Sequence, residues 1–431
     1  MHKDSFFIRG LGGERALHGE IAVGGAKNAA LPLMAALPLF ENQVALQNVP
    51  AIEDVARMSE LMKALGADIS FEGGRMTLRG DSFGTQFDRT LSKRMRASII
   101  LTGPILSASG AVRFPHPGGC VIGKRPIDLF LESFVKMGAE IFEDGEYYVV
   151  KARNKRLCAA EIFFRVQSVT ATETLMLAAV LAEGKTTLKN AAMEPEIISL
   201  ADFLIASGAK IKGAGTPVIE ITGAGKLNFS GSPWSVIPDR IETGSFLFLG
   251  ALAGKDLKIT NCNPTHLEIV IDELRRSGVA IEIGESSLKV FGAEKGVSRS
   301  FKPFDIKTHE YPGFPTDLQA PATVFLTQAA GEAQVFESIF EGRLHYVEDL
   351  VRMGAEIEMM DTHRVRIKGP AKLRGRELEG PDIRAGLAYV IAAIIAEGES
   401  AISNVYFIDR GYERVEERLR KIGADIIRTT N

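Results

Sequence analysis

Residues 137–141 read MGAEI, and the same five letters return at residues 353–357. Four variants complete a series of six: LGADI (65–69), SGAKI (207–211), SGVAI (277–281) and IGADI (422–426). Their glycines stand 69 to 76 residues apart along the whole chain. A period this even predicts six structural repeats, and such repeats determine the fold.

Each repeat has the same internal order, which the third copy shows most clearly. Its parts are an apolar helix in TLMLAAVLAEG (174–184), a strand in KTTLKN (185–190), a helix in EPEIISLADFLIASGA (194–209) and a strand pair ending in PVIEITG (217–223). The first helix is apolar on all sides, which is typical of a buried helix, whereas the second is amphipathic. We therefore expect the first helix inside, and the second helix and the sheet outside.

The repeats also predict the domains. A chain of 431 residues is too long for one typical core, whereas three repeats make a domain of ordinary size. The Gly/Pro/Ser-rich stretch SGSPWSVIPDR (230–240) marks the boundary. The strand FFIRG (6–10) precedes the first repeat and is expected to pair with the second domain. The prediction is an α/β protein of α+β repeats, with domains 25–236 and 1–24 plus 237–431.

Composition excludes several classes of protein. The net charge of −3 gives no overall attraction to nucleic acid, so cations must act locally. The longest apolar stretch (385–398) is too short to span a bilayer, and the N-terminus does not resemble a signal peptide. We expect a cytoplasmic protein without membrane insertion. Three cysteines without CxxC spacing indicate neither a zinc site nor a disulfide framework. The sequence leaves the oligomeric state open, a homo-oligomer included.

The segment PHPGGCVIGKRPID (115–128) interrupts the second repeat. Cys120 follows two glycines that give it no side-chain cover, and Lys124 and Arg125 come within five residues. Nearby cations stabilise a thiolate and lower the thiol pKa, which is typical of reactive cysteines. The segment therefore predicts a reactive loop.

Cations also stand where buried helices begin. Lys27 follows two glycines in GGAKNAALPLM (24–34), where free backbone N–H groups already favour an anion. The alternative is a lysine in a turn, or one that keeps its amine in solvent. Further arginines stand at similar positions: Arg96, Arg384 and Arg410. Together they predict a clamp for a polyanion.

Asp317 stands in HEYPGFPTDLQAPATVF (309–325), at the start of the fifth apolar helix. One interpretation is a helix N-cap, in which Thr316 or Asp317 satisfies free backbone N–H groups. The other is a carboxylate that takes part in chemistry.

Several motifs occur in a fixed order: GGAKNAALPL, MRAS, PGGC-x-IG-x-RP-x-D, N-A-A-x-EPEI, PDRIETG, FPTD-x-QA and IDRGYER. In these motifs, from about Gly10 to Ile426, the chain resembles the UDP-N-acetylglucosamine enolpyruvyl transferases (1-carboxyvinyltransferases) of the enolpyruvyl transferase family. The resemblance implies a pair of inside-out α/β barrels with the active site in the cleft between the domains. It also implies transfer of the enolpyruvyl group of phosphoenolpyruvate to the sugar 3-hydroxyl, with release of phosphate. This is the first committed step of peptidoglycan synthesis, and it needs no metal or cofactor.

The resemblance also implies roles for single residues. Cys120 would protonate the C3 methylene of phosphoenolpyruvate or act in product release, and Asp317 would be the base for the sugar hydroxyl. The residues implied to hold phosphoenolpyruvate are Lys27, Arg125 and Arg410. The positions implied to contact the nucleotide sugar are Asn28, Arg96, Ser168, Val169 and Ile339. Asp382 and Arg384 would be supporting charges, and the remaining substrate-binding positions are Pro126, Ile127, Asp128 and Leu129.

Three positions depart from the pattern of that family. Phe130 replaces a histidine after the loop, Thr170 replaces a glycine in SVTAT, and Ile100 stands where an aromatic residue is common. All three concern recognition of the nucleotide sugar, so a relative acting on another uridine nucleotide stays an alternative. A shikimate 3-phosphate enolpyruvyl transferase is a second alternative, although that class has no such cysteine loop. A non-catalytic repeat scaffold is the third, and it predicts no clustering of charge at helix starts.

Overall fold

The computed structural model describes residues 4–116, 127–291 and 300–430. Its strands are β1 (Asp4–Arg9), β2 (Leu17–Ala22), β3 (Val44–Gln47), β4 (Asp68–Glu72), β5 (Arg75–Arg79), β6 (Ala111–Pro115), β7 (Ala139–Asp144), β8 (Tyr147–Ala152), β9 (Glu161–Phe163), β10 (Lys185–Lys189), β11 (Lys210–Lys212), β12 (Val218–Thr222), β13 (Trp234–Ser235), β14 (Gly254–Thr260), β15 (Ala280–Ile283), β16 (Ser287–Phe291), β17 (Ile306–Lys307), β18 (Gly331–Phe336), β19 (Glu356–Asp361), β20 (Arg364–Gly369), β21 (Glu377–Glu379), β22 (Glu399–Ser403) and β23 (Asp425–Thr430).

The α-helices are α1 (Lys27–Ala35), α2 (Glu53–Ala64), α3 (Arg89–Lys93), α4 (Thr102–Ser109), α5 (Asp128–Lys136), α6 (Val169–Ala179), α7 (Pro195–Ala206), α8 (Arg240–Ala253), α9 (Glu268–Arg276), α10 (Gln319–Leu326), α11 (Val347–Arg352), α12 (Ile383–Ile395), α13 (Tyr406–Asp409) and α14 (Val415–Lys421). Short 3-10 helices span Leu37–Leu39, Arg96–Leu101, Arg153–Lys155, Pro264–Leu267 and Thr316–Leu318. Within the described ranges, no helix is both long enough and apolar enough to cross a membrane.

The repeated glycines have one backbone conformation. All six follow an outer helix (α2, α5, α7, α9, α11 or α14), and their φ values lie between 85° and 108°. This left-handed conformation is strained for residues with a Cβ, and glycine adopts it freely at the end of a helix. The period in the sequence therefore marks six helix ends, and the six predicted repeats are confirmed.

The described residues fall into two compact units. The contiguous unit comprises residues 25–116 and 127–237, and the discontinuous unit comprises 4–24, 238–291 and 300–430. Each unit has its own cluster of buried apolar side chains. That residues 25–236 form one domain, and residues 1–24 with 237–431 another, each able to fold independently, stays a prediction.

The contiguous unit contains three sheets around buried helices. Their strand orders are β13-β3-β5-β4, β6-β8-β7 and β11-β12-β10-β9. The last strand, β13, returns to pair in parallel with β3, so the third repeat closes onto the first. Helices α4 and α6, most of whose residues are buried, pack against each other inside, as the apolar patterns predict.

The discontinuous unit repeats this plan with strand orders β15-β16-β14-β2, β17-β18-β20-β19 and β21-β22-β1-β23. Strand β1 lies between β22 and β23 and is antiparallel to both, which confirms the expected long-range pairing of FFIRG. Strand β2 pairs in parallel with β14. Helices α8, α10 and α12 pack against one another, and every residue of α8 after Arg240 is buried.

One helix prediction was wrong in its bounds. The apolar helix predicted at 174–184 begins earlier, at Val169, and ends at Ala179, before the glycine at its expected end. Its start is fixed by Ser168, whose Oγ accepts a hydrogen bond from the backbone N–H of Ala171 at 3.2 Å. Gly184 instead occupies the turn into β10, with φ of 98°. The polar cap therefore outweighs the apolar pattern in setting where this helix begins.

Candidate functional site

Lys27 is the first residue of α1, as its position in the sequence predicts. Its Nζ lies 3.3 Å from Oδ2 of Asp54, and the side chains of Lys27 and Asp54 are only 14% and 3% exposed. Two residues earlier the chain needs glycine, because a Cβ at Gly25 would lie 1.8 Å from the carbonyl oxygen of Asn48. A largely buried ammonium is thus held by a carboxylate beside the free N–H groups of a helix start.

The predicted nucleotide-sugar positions of the contiguous unit also lie at helix starts. Asn28 is in the first turn of α1, Arg96 begins the 3-10 helix Arg96–Leu101, and Ser168 caps α6 before Val169. That 3-10 helix contacts both α1 and α6. The three helices that carry these residues are therefore linked by packing within this unit.

The reactive loop is described only in part. Cys120, Arg125 and Pro126 lie outside the described residues, so their predicted roles rest on the sequence. Beyond them, Ile127 is buried just before α5, Asp128 is exposed at its first position, and Leu129 is half-buried.

Two of the three departures from the family pattern are core residues. Phe130 is 6% exposed and Ile100 is 4% exposed, and both belong to the apolar core of the contiguous unit. Thr170 is half-buried in the first turn of α6, where its carbonyl oxygen accepts a hydrogen bond from the Thr174 hydroxyl at 2.7 Å. Burial explains why a phenylalanine and an isoleucine are stable at positions 130 and 100.

A cluster of charged side chains surrounds Asp317 in the discontinuous unit. Oδ1 of Asp317 accepts a hydrogen bond from Nη2 of Arg343, and Oδ2 accepts one from Nε of Arg384 at 3.0 Å and lies 2.9 Å from its Nη2 in an ion pair. The arginine side chains are 5% exposed and the Asp317 side chain is 24% exposed. The N-cap interpretation is wrong, because neither Thr316 nor Asp317 caps the 3-10 helix or α10 with its side chain.

The two arginines remain charged in this cluster. Burial opposes the charge on Arg343, but the carboxylates of Asp317 and Asp382 outweigh it and raise the guanidinium pKa. Burial likewise opposes the charge on Arg384, yet its pKa is raised well above the ordinary value by neighbours that include Tyr412 and Asp317. Nη1 of Arg384 donates to the hydroxyl of Tyr412 at 2.9 Å, and burial raises the pKa of that hydroxyl to about 12.

The backbone around the cluster is fixed by two carboxylates. Oδ1 of Asp382 accepts hydrogen bonds from the backbone N–H groups of Arg384 and Ala385, at 2.7 and 3.0 Å, and so caps α12. Oε1 of Glu337 accepts hydrogen bonds from the backbone N–H groups of Ile339 and Phe340, at 2.9 and 3.0 Å. The predicted site residues Ile339, Asp382 and Arg384 are therefore held in place by local hydrogen bonds.

Arg410 does not lie where the sequence suggested. It follows the short helix α13 as its C-cap, not a strand, because residues 406–409 form one helical turn. The preceding residue, Asp409, accepts hydrogen bonds from both Nη atoms of Arg428, at 2.9 and 2.6 Å. Arg410 therefore lies at the end of a helix that packs against α12, the helix that carries Arg384.

Sequence reasoning missed several partners of the site residues. Asp54, Arg343 and Glu337 were not singled out, although each contacts a predicted residue or its neighbour. Glu337 could have been found from the sequence, because it departs from the asparagine that four other repeats carry after the corresponding strand. In the described ranges, no group of three histidine, cysteine or acidic side chains could hold a metal ion.

A buried carboxyl group lies on the helix that Ser168 caps. Burial raises the pKa of Glu173 well above its ordinary value, and the carboxylates of Glu196 and Glu194 raise it further. The folded state therefore binds this proton more tightly than the unfolded state. Stability must fall as pH rises from the ordinary carboxyl pKa through the raised value.

Replacing this carboxyl group tests that pH dependence. We expect Glu173→Gln to raise the Tm relative to the wild-type chain at pH 8, with a clearly smaller difference at pH 5, where the carboxyl group is mostly protonated. Thermal unfolding at both pH values measures it. An equal difference at the two pH values would contradict this account.

Comparison with known proteins agrees with this architecture. The sequence model of the family described as EPSP synthase (3-phosphoshikimate 1-carboxyvinyltransferase) matches residues 11–419. The UDP-N-acetylglucosamine 1-carboxyvinyltransferase of Koribacter versatilis is 43% identical over 430 residues, covering 99% of this chain and 96% of the relative. The enzyme of the same name from Acidobacterium capsulatum is 45% identical over 434 residues, covering 99% and 97%.

Solved structures show the same fold. The enolpyruvyl transferase NikO from Streptomyces tendae superposes with a TM-score of 0.86 at 24% identity, and the match covers 100% of both chains. An EPSP synthase from Acinetobacter baumannii superposes with a TM-score of 0.73 at 18% identity, covering 99% of this chain and 100% of the other. The predicted fold class is confirmed.

Proposed function

Because the chain belongs to the EPSP synthase family of carboxyvinyl transferases, we propose that it transfers the enolpyruvyl group of phosphoenolpyruvate to the 3-hydroxyl of UDP-N-acetylglucosamine, releasing phosphate. The chain is an enzyme, and its reaction belongs to peptidoglycan synthesis. The observation that carries the choice of acceptor is the identity of 43–45% over nearly the whole chain with relatives named for it.

The reaction adds an alcohol across a C=C bond and then eliminates phosphate. The sugar O3 bonds to C2 of phosphoenolpyruvate while an acid delivers a proton to C3. A proton then leaves C3, the C2–O bond to the phosphate breaks, and the double bond forms again. The reaction therefore needs an acid at C3, a base at the sugar hydroxyl and cations around a trianionic substrate.

The residues of this chain supply these groups. Asp317 is the base for the sugar hydroxyl, and Cys120 protonates C3 or acts in product release. Lys27, Arg125 and Arg410 hold phosphoenolpyruvate, and Arg384 and Asp382 support Asp317. The nucleotide sugar is bound by Asn28, Arg96, Ser168, Val169 and Ile339, with Pro126, Ile127, Asp128 and Leu129 contributing after the loop.

The geometry described above supports the role of Asp317. Its side chain is partly exposed, while Arg343 and Arg384 hold both of its oxygens from the buried side. A fixed and accessible carboxylate is what a positioned base requires.

The test of the function is the product. After incubation with phosphoenolpyruvate and UDP-N-acetylglucosamine, NMR should show a carboxyvinyl ether at the sugar O3, with one phosphate released per ether formed. A nucleotide sugar that remains unmodified while the protein is folded would contradict the proposal.

Cys120→Ala tests the reactive loop. We expect phosphate release to fall sharply, because the substitution removes the one thiol placed between glycines and cations. Cys158→Ala is the matched control, since that exposed cysteine lies outside the loop and should leave the rate unchanged. Equal rates for Cys120→Ala and the wild-type chain would show that the thiol has no part in turnover.

Three further statements stay predictions: that the chain works in the cytoplasm, that it binds no nucleic acid, and that it needs no cofactor. Its oligomeric state stays open.

A further inference from the structure

The six repeats differ at one informative position, the residue directly after the strand that follows the inner helix of each repeat (β3, β6, β10, β14, β18 or β22). In four repeats this residue is asparagine with φ between 52° and 57°: Asn48, Asn190, Asn261 and Asn404. In three of the four, the side-chain amide donates to a backbone carbonyl beyond the neighbouring parallel strand, at 2.6 to 2.9 Å. In these repeats the position ties adjacent strands together.

The second and fifth repeats depart from this rule. The second carries His116, directly before the reactive loop, and the fifth carries Glu337, directly after β18. Glu337 is fully buried, and the hydrogen-bond direction across the strands is reversed, because the Thr308 hydroxyl now donates to Oε1 at 3.0 Å. A structural asparagine has thus been replaced by an acceptor-only carboxylate in the repeat that carries Asp317.

Glu337 is connected to Asp317 by a chain of hydrogen bonds. Nη2 of Arg343 donates to Asp317, and Nη1 of the same guanidinium donates to the Thr316 hydroxyl oxygen at 3.0 Å. The Thr316 hydroxyl donates to Oε2 of Glu337 at 2.7 Å. An arginine only donates and a carboxylate only accepts, so the direction of the Thr316 hydroxyl is fixed by its two neighbours.

A purely structural role as a cross-strand link does not explain why this position carries a glutamate. A cross-strand link alone is satisfied by asparagine in the sister repeats, whereas a buried carboxylate carries a large desolvation cost. That cost is offset by four donors and by the cation of Arg343, whose pKa is raised in part by Glu337. The carboxylate therefore belongs to the electrostatics of the Asp317 cluster.

We propose that Glu337 is a positioning residue for the transfer reaction: through the Thr316 hydroxyl it orients Arg343, and through Arg343 it sets the position of Asp317. The inference rests on the proposed function, since it assumes that Asp317 takes part in the reaction. It adds two residues, Glu337 and Thr316, that act on the site without touching substrate.

The link can be broken from both ends by substitutions that keep the side-chain shape. Thr316→Val removes the hydroxyl, and Glu337→Gln can place an amide N–H₂ where the Thr316 hydroxyl now donates to Oε2, so that this hydroxyl loses its acceptor and the link loses its negative charge. Each variant should lower kcat at least about tenfold, because small misplacements of reacting groups are costly. The KM for UDP-N-acetylglucosamine should change less than about twofold, since the side-chain carbonyl oxygen of the introduced glutamine can still accept from Ile339 and Phe340.

A double-mutant cycle tells a shared link from two separate defects. The Thr316→Val/Glu337→Gln double variant should be no slower than the slower single variant, because both singles break the same chain. Thr316→Ser keeps the hydroxyl and should retain at least about a third of the wild-type kcat. Thr186→Val is the matched control, because that buried hydroxyl has no hydrogen-bond partner among the described residues.

The outcomes are separable. The proposal is overturned if Thr316→Val keeps the wild-type kcat, if the losses of the two single variants multiply in the double, or if Thr316→Ser or Thr186→Val loses as much as Thr316→Val. If Thr316→Val fails to fold, the kcat of Glu337→Gln is compared with that of Thr316→Ser instead. A loss of kcat in Glu337→Gln that Thr316→Ser does not share supports the proposal, and equal losses overturn it. An inactive wild-type chain would instead refute the proposed function itself.

Discussion

Asp317→Asn is expected to lower kcat by roughly 10²–10⁴-fold, the usual contribution of a general base. The amide cannot accept a proton from the sugar hydroxyl, and it presents an N–H₂ group to guanidiniums that need a negative partner. Since Arg343 and Arg384 are almost fully buried, the Tm should also fall. Steady-state phosphate release and thermal unfolding of the same preparation measure the two effects.

Asp349→Asn is the matched control for this prediction. Asp349 is also a mostly buried carboxylate of the discontinuous unit, and it accepts its hydrogen bonds from Tyr389 and Arg352 instead of from Arg343 and Arg384. We expect it to lower the Tm without changing kcat. If both variants lost activity in proportion to their loss of Tm, Asp317 would have only a structural role.

Lys27→Met is expected to reduce kcat/KM for phosphoenolpyruvate by two orders of magnitude or more, roughly the 3 kcal/mol of a charge-assisted hydrogen bond to a phosphate or carboxylate. The variant should also be unstable, because Asp54 is 2% exposed and would lose the ammonium 3.3 Å away. Removing one partner of a buried ion pair costs about 3–5 kcal/mol.

A second substitution separates these two effects. In Lys27→Met/Asp54→Asn the buried carboxylate is replaced by a neutral amide, so most of the stability should return while kcat/KM stays low. Lys226→Met is the control, because that exposed lysine donates to the carbonyl oxygen of Pro38, beyond the C-terminal end of α1. Recovery of kcat/KM in the double variant would mean that Lys27 only neutralises Asp54.

The fold was predictable because its signal is local and repeated. A helix that ends in a left-handed backbone favours glycine at that position. Six such glycines at one period therefore predict six copies of a unit, however much the rest of the sequence varies. Mostly apolar helices such as α8 and α12 are recognised in the same way, since a helix that is buried on every side needs apolar residues on most of its surface.

The candidate site was predictable only where a single residue was conspicuous. Lys27, Asp317 and Arg384 stand out because charge is unusual at the start of a buried helix. Their pairing was not predictable, since Arg343 lies 26 residues and Arg384 lies 67 residues from Asp317 along the chain, and no local pattern joins them. The helix-cap interpretation of Asp317 failed for the same reason: distant arginines compete for the carboxylate.

The central claim is the identity of the acceptor, and phosphate release from phosphoenolpyruvate tests it most directly. The wild-type chain should be assayed with UDP-N-acetylglucosamine, shikimate 3-phosphate and UMP as separate acceptors. We expect rapid release with the nucleotide sugar alone. Release only with shikimate 3-phosphate or UMP would keep the fold and the donor but contradict the acceptor, and no release with any of the three would contradict enolpyruvyl transfer.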